Sequence, residues 1–239
     1  MSKVALSFDK DGLVPVVVQD HLTGEVRMVA FASIEAVRAT LKTGRATFWS
    51  RSRGELWEKG RTSGNSIAVK RVLVDCDADC LIYSADPHGP SCHTGTASCF
   101  FQTLEPAEPG EGAARGEPPG DAAWVLRPTE QPQTLLATLE AVLESRKKSS
   151  PGSSYTKSLY DGGAPAIGAK LREETAELEQ ALAGEADERV VSEAADVLYH
   201  LLVALRSRAI PLRDVLAALA ARMGTSGHEE KARRGSERD

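Results

Sequence analysis

Aromatic side chains are scarce, 5% of 239 residues with three tryptophans, and no apolar run approaches the ~20 residues that a membrane-spanning helix needs. Positive charge is not in excess either. With 29 basic against 34 acidic residues the formal net charge is −5, which excludes a protein that coats nucleic acid by charge. The opening MSKVALSFDKDG lacks the apolar core of a signal peptide and brings acids too early for a transit peptide, so a cytoplasmic protein with no membrane partner is expected. Cysteine is limited to four residues, and in that compartment disulfides rarely persist. The four are therefore expected to be free thiols or metal ligands.

What is present is unevenly spread. The length allows one large domain or two small ones at roughly 100–200 residues each. Six of the twelve prolines fall between residues 105 and 132, together with Gly110, Gly112, Gly116 and Gly120. The stretch EPAEPGEGAARGEPPGD has no apolar period that could repay ordering it, and reads as a linker. Residues 1–104 then form one domain, 105–132 the linker, 133–225 a second domain and 226–239 a polar tail. The first domain reads as strand-rich α+β. Val14–Val18, Arg27–Ala32, Ala46–Ser50, Ile67–Asp75 and Leu81–Ser84 are the strands, and Ile34–Thr43 is a helix stopped by Gly44. The second reads as an all-α bundle of Thr134–Arg146, Pro165–Ala183, Glu188–Arg208 and Leu212–Met223.

Three stretches of the first domain carry chemistry. In Asp75-Cys76-Asp77-Ala78-Asp79, a strand would put Asp75, Asp77 and Asp79 on one face and Cys76 on the other. Three such carboxylates repel unless a cation sits among them, and hard oxygen ligands suit Mg²⁺. Taken alone, the run reads equally as a solvated acidic turn. In GPSCHTGTASC, Cys92 and Cys99 are too far apart for a CxxC knuckle. With Cys76 they could still hold Zn²⁺ and leave a fourth position for a water whose pKa falls to about 7. His93, next to a thiolate, can shuttle protons. The alternative is that Cys92 and Cys99 are small buried hydrophobes; Cys80 has no assigned role. In SRSR and WEKGRTSGN, Arg51, Ser52, Arg53, Lys59, Arg61, Thr62, Ser63 and Asn65 surround glycines that let backbone N–H groups approach an anion. A polar hairpin loop has the same composition.

These three motifs, in this order, resemble phosphoribosyl-AMP cyclohydrolase of histidine biosynthesis over about residues 12–101. The resemblance implies hydrolysis of the N1–C6 bond of the adenine ring, Zn²⁺ on Cys76, Cys92 and Cys99, and Mg²⁺ on Asp75, Asp77 and Asp79. It also implies a homodimer in which Cys76 of one subunit meets the other two thiols of its partner.

The second domain places carboxylates on two successive helices. Glu173, Glu174 and Glu177 lie at i,i+3 and i,i+4 spacing, and Glu193 and Asp196 follow at i,i+3. Two facing helices can present them together to Mg²⁺, although ordinary charged faces have the same spacing. Ser154-Tyr155-Thr156, Lys170-x-x-Glu173-Glu174 and Glu193-Ala-Ala-Asp196-Val-Leu-Tyr-His200 resemble phosphoribosyl-ATP pyrophosphatase, an all-α nucleotide pyrophosphohydrolase, over about residues 134–222. That resemblance puts Mg²⁺ on Glu173, Glu174, Glu177, Glu193 and Asp196, with Lys170 as a phosphate contact.

The two resemblances together imply a bifunctional hydrolase for consecutive steps, acting on phosphoribosyl-ATP and phosphoribosyl-AMP. The rival reading is a house-cleaning nucleotide pyrophosphatase whose first half is only a zinc-stabilised dimerisation module. A zinc nucleobase deaminase would need HxE followed by PCxxC, and no PCxxC follows His228-Glu229-Glu230.

Overall fold

A computed structural model describes residues 5–106, 124–129 and 134–223. Most of the expected linker and all of the expected tail lie outside these residues. The chain divides into two compact units, Met1–Gln133 and Thr134–Asp239.

The first unit is built on a six-stranded sheet. Its strands are β1 (Val14–Asp20), β2 (Val26–Ala32), β3 (Thr47–Ser50), β4 (Glu55–Glu58), β5 (Ile67–Val74) and β6 (Leu81–Pro87), with α1 (Ile34–Thr43) between β2 and β3. The order is β4-β3-β2-β1-β6-β5, antiparallel except where β1 lies parallel to β6. Period-two burial in β1 sends Val14, Val16 and Val18 into the core, where they meet Phe48, Ile67, Leu81 and Tyr83. The β5 edge reaches back to the segment before β3: Ala46 N–H donates to the Ile67 carbonyl at 3.0 Å and Val69 N–H to that of Gly44 at 2.7 Å. The sheet thus curls toward closure.

Ser33 caps α1 by accepting the Ala36 N–H at 3.3 Å, and Gly44 ends it in a left-handed conformation with φ 70°. Two further strands, β7 (Gln102–Pro106) and β8 (Trp124–Pro128), pair antiparallel with each other. The expected domain boundary at residue 104 therefore falls inside β7, and the end of the expected linker is strand. A 2.8 Å ion pair between Glu105 and Arg127 spans this ladder.

The second unit contains α2 (Leu135–Lys148), α3 (Tyr155–Leu182), α4 (Asp187–Ser207) and α5 (Leu212–Arg222) around Leu143, Leu159, Ile167, Leu202, Val203 and Leu212. The helix expected from Pro165 is only the second part of α3. A first segment starts at Tyr155, capped by the Ser154 side chain, and the two join across a kink at Gly163 with φ 64° and ψ −162°. The short connection 183–186 folds α4 back along α3.

Candidate active sites

Between β5 and β6 the chain makes a tight loop around Asp75. One carboxylate oxygen of Asp75 accepts the N–H groups of Asp79 and Cys80, both at 3.0 Å, and the Asp75 N–H donates to the Cys80 carbonyl at 3.3 Å. Ala78 takes a left-handed φ of 63°. The strand alternation considered for the three aspartates does not apply, since β5 ends at Val74. Side-chain-to-backbone bonds compete with the ladder and close a loop instead. Asp75, Asp77 and Asp79 still converge, with carboxylate oxygens within 4.8 Å of one another. Backbone hydrogen bonds, first that from Cys80, hold Asp75 below the usual carboxylate range, whereas the hydrogen bond with Asp75 and the charge of Asp77 push Asp79 up. Such crowding is what a hard cation relieves, so the set fits a divalent ion.

The second motif is a loop leaning on the start of β2. Cys99 N–H donates to the Arg27 carbonyl at 2.8 Å, and the Ser98 hydroxyl donates to the Val26 carbonyl at 2.8 Å. Arg27 is itself paired with the buried Asp20 at 2.8 Å. Cys92 is 5% exposed, and its Sγ lies 3.1 Å from the Thr94 hydroxyl. That hydroxyl is the largest influence drawing the Cys92 thiol down to about 6. Burial, followed by the charge of Cys92, pushes Cys99 up to about 11. A buried thiol drawn low beside a second thiol is a soft donor pair that fits zinc. Exposed His93 has Nδ1 3.9 Å from the Cys92 sulfur. Cys76 is exposed with its sulfur 3.9 Å from Asp77 Oδ1. Among the described residues of one chain, Cys76 is not gathered with Cys92 and Cys99 into a ligand cluster.

The glycine-containing loop after β4 lines a cavity of about 380 Å³ with Arg53, Trp57, Lys59, Arg61, Thr62 and Ser63. Gly60 has φ 86°, and a Cβ there would sit 2.5 Å from the Ser66 backbone, so only glycine lets the loop close. Lys59 of this lining also acts electrostatically on Cys99. Arg51, Ser52 and Asn65 stand outside the lining: Arg51 packs over the Phe31 ring at 4.0 Å, Ser52 bonds Ser50, and Asn65 N–H donates to the Ser63 hydroxyl.

In the second unit, α3 and α4 bring Glu174, Glu177 and Glu193 together, with oxygens within 4.8 Å of one another. Glu174 is 6% and Glu193 2% exposed. Burial holds Glu193 above the usual carboxylate range, against the pull of Arg189, and one of its oxygens is buried without a hydrogen-bond donor. An orphaned buried carboxylate oxygen facing two other carboxylates fits a divalent cation. Of the five carboxylates expected here, Glu173 and Asp196 stand outside this cluster. Glu173 instead meets Lys170 at 3.0 Å, and Lys170 reaches Glu174 at 2.6 Å. His200 is buried behind the cluster, with Nδ1 2.9 Å from the Asp196 carbonyl and Nε2 3.1 Å from the Tyr155 hydroxyl.

A family model for phosphoribosyl-AMP cyclohydrolase matches residues 28–101, and one for phosphoribosyl-ATP pyrophosphohydrolase matches residues 136–223. The histidine biosynthesis bifunctional protein HisIE of Photobacterium profundum is 40% identical over 213 residues, 89% of this chain and 93% of that protein. The HisIE protein of Bacillus subtilis is 40% identical over 217 residues, 91% and 94% of the two chains. That of Thermus thermophilus is 38% identical over 219 residues, 92% of each. The chain belongs to the HisIE family. Like other HisIE proteins it is a bifunctional hydrolase of histidine biosynthesis, with a cyclohydrolase in its first unit and a pyrophosphohydrolase in its second. The cyclohydrolase match sets aside the reading of the first half as a mere dimerisation module. Both HisIE activities are metal-dependent and act on nucleotides, in keeping with the two acidic clusters. Among the described residues no helix is long and apolar enough to cross a membrane.

Thr94, Thr96 and Arg189 are site-adjacent residues that the sequence reading did not single out. Arg189 had a readable signal, since it precedes Glu193 by four residues and so faces it on α4. The hydroxyls of Thr94 and Thr96 had none beyond their nearness to Cys92.

Proposed function

We propose that residues 1–104 open the adenine ring of phosphoribosyl-AMP at N1–C6 on a zinc centre of Cys76, Cys92 and Cys99, shared across a homodimer. Residues 133–225 cleave phosphoribosyl-ATP to phosphoribosyl-AMP and pyrophosphate on Mg²⁺. The observation that carries the first half is the loop that buries Cys92 beside Thr94 and ties Cys99 to β2, with Cys76 ungathered in the same chain. In this reading the third thiol, Cys76, is supplied by a partner subunit. The chemistry such sites supply is water activation in the first unit and charge neutralisation of leaving pyrophosphate in the second.

The chain's own groups do the rest. Lys59, Arg61, Thr62 and Ser63, with Arg53, hold the substrate phosphate in the cavity, and Arg51, Ser52 and Asn65 support that loop. His93 keeps an exchangeable proton near the departing N1. Asp75, Asp77 and Asp79 would hold Mg²⁺. In the second unit Glu174, Glu177 and Glu193 form the centre of the Mg²⁺ site, with Glu173 and Asp196 at its margin. Lys170, held by Glu173 and Glu174, stands where a phosphate oxygen can displace one of its carboxylate partners. A reducing cytoplasm keeps the thiol pair free for metal.

Purified protein given phosphoribosyl-ATP should release pyrophosphate and form the ring-opened product. Cys92→Ala should abolish ring opening and spare pyrophosphate release. Glu174→Gln should block conversion of phosphoribosyl-ATP while phosphoribosyl-AMP supplied directly is still opened. Loss of both activities in either variant overturns the two-site assignment.

A further inference from the structure

The loop that carries Cys92 contains a run of hydroxyls that the proposed chemistry leaves unused. The Thr94 hydroxyl lies 3.1 Å from Cys92 Sγ and 3.1 Å from the Thr96 hydroxyl, and Thr96 donates to the Ser98 carbonyl at 2.7 Å. Each hydroxyl has one proton, and a carbonyl can only accept. The Thr96 proton is therefore committed to Ser98, which leaves the Thr96 oxygen as an acceptor. The single Thr94 proton must then choose between Thr96 and the sulfur. When Cys92 carries its own proton, the run points one way: S–H to Thr94, Thr94 to Thr96, Thr96 to Ser98. When the sulfur is a thiolate, the Thr94 proton turns back to it.

We infer that Thr94 is a positioning residue for the metal centre, whose hydroxyl, backed by Thr96, donates to the Cys92 sulfur and holds it in the ligating orientation. The inference rests on the zinc reading of Cys92. Hydrogen bonds to a ligating sulfur fix its direction and adjust its donor strength, and losing such an outer partner costs about 10–100-fold in metal affinity. The loop's shape does not depend on these hydroxyls. Backbone bonds from Cys92 N–H to Thr96 O at 3.1 Å, Gly95 N–H to Cys92 O at 3.2 Å and Ser91 N–H to Ala97 O at 3.3 Å close it independently. Thr94 is also exposed, so an isosteric valine has room.

The test uses the full-length protein, loaded in turn with zinc and with cobalt(II). Zinc affinity is read by competition with a chelator, and cobalt reports each thiolate through its sulfur-to-metal charge-transfer absorption. Thr94→Val should weaken zinc binding about 10–100-fold and shift that absorption, while Thr94→Ser stays close to wild type. Pyrophosphate release from phosphoribosyl-ATP should be unchanged in both, and the metal-free first unit should melt as in wild type, which guards against a folding defect there. If Thr94→Ser fails as Thr94→Val does, the residue acts by packing and the inference is overturned. It is overturned too if Thr94→Val binds and absorbs like wild type while Cys92→Ala loses the metal; the zinc reading then stands alone. If Cys92→Ala itself binds zinc and cobalt as wild type does, the zinc reading has failed and this inference with it.

Discussion

At the scale of single residues, the two thiols near the metal loop are separated in protonation although they sit in one short segment. Cys92 is drawn to about 6 mainly by the Thr94 hydroxyl, and Cys99 is pushed to about 11 mainly by burial. Each shift fixes a sign. A thiol with a depressed folded pKa stabilises the folded chain in full above its ordinary value near 9.0, and that contribution is lost as pH falls through about 6. Cys99 works in the opposite sense, weakening the fold as pH rises from 9.0 toward about 11. Metal-free protein titrated by ultraviolet thiolate absorbance should show one step near pH 6 that is missing from Cys92→Ala. A first step near pH 9 in the wild-type protein would contradict the role given to the Thr94 hydroxyl. In the second unit, burial and neighbouring carboxylates raise Glu193 against Arg189. Burial thus raises Glu193 in one unit and Cys99 in the other, while a hydroxyl lowers Cys92.

Among the secondary-structure elements, α3 carries the most local constraint. Its kink at Gly163, φ 64° and ψ −162°, lies in a region that only glycine occupies without strain. The kink lets the first segment bring Thr156 to Tyr199 at 2.6 Å and Tyr155 to His200 at 3.1 Å, while the second segment aims Glu174 and Glu177 at α4. Gly163→Ala should cost about 1–3 kcal/mol, seen as a lower melting temperature of the second unit, with cyclohydrolase activity retained. Melting at the wild-type temperature would mean that the kink is not strained. Ile34–Thr43 and its Gly44 stop were legible because cap, period and stop agree locally. The Gly162-Gly163-Pro165 run hid the first segment of α3, since it reads as a break rather than a bend within one helix. Strand β4, with the sequence ELWE, was not legible because it is short, polar and held only by β3. The carboxylates of the acidic run come together through a loop and not through the alternation of a strand. The N–H groups of Asp79 and Cys80 donate to Asp75 in the turn that joins β5 to β6, and no periodicity encodes these bonds.

For the whole molecule, the two units each hold a self-sufficient acidic cluster, but the proposed zinc centre is incomplete in one chain. The formal charge of −5 includes the carboxylates of both clusters, so it overstates the charge of a metal-loaded enzyme. The proposed sharing of thiols would make dimerisation a condition of cyclohydrolase activity while leaving the α3–α4 carboxylates within one chain. This asymmetry can be read by complementation. Cys76→Ala and Cys92→Ala homodimers should each be inactive in ring opening. In a mixed dimer, one of the two centres takes Cys76 from the Cys92→Ala chain and Cys92 with Cys99 from the Cys76→Ala chain, and is whole. Co-refolding the two variants in equal amounts gives about half mixed dimers, each with one intact centre of two, so about one quarter of wild-type ring opening should return. Pyrophosphate release should stay at the wild-type level throughout. If no ring opening returns although mixed dimers are isolated, the three thiols belong to one chain and the shared centre is wrong.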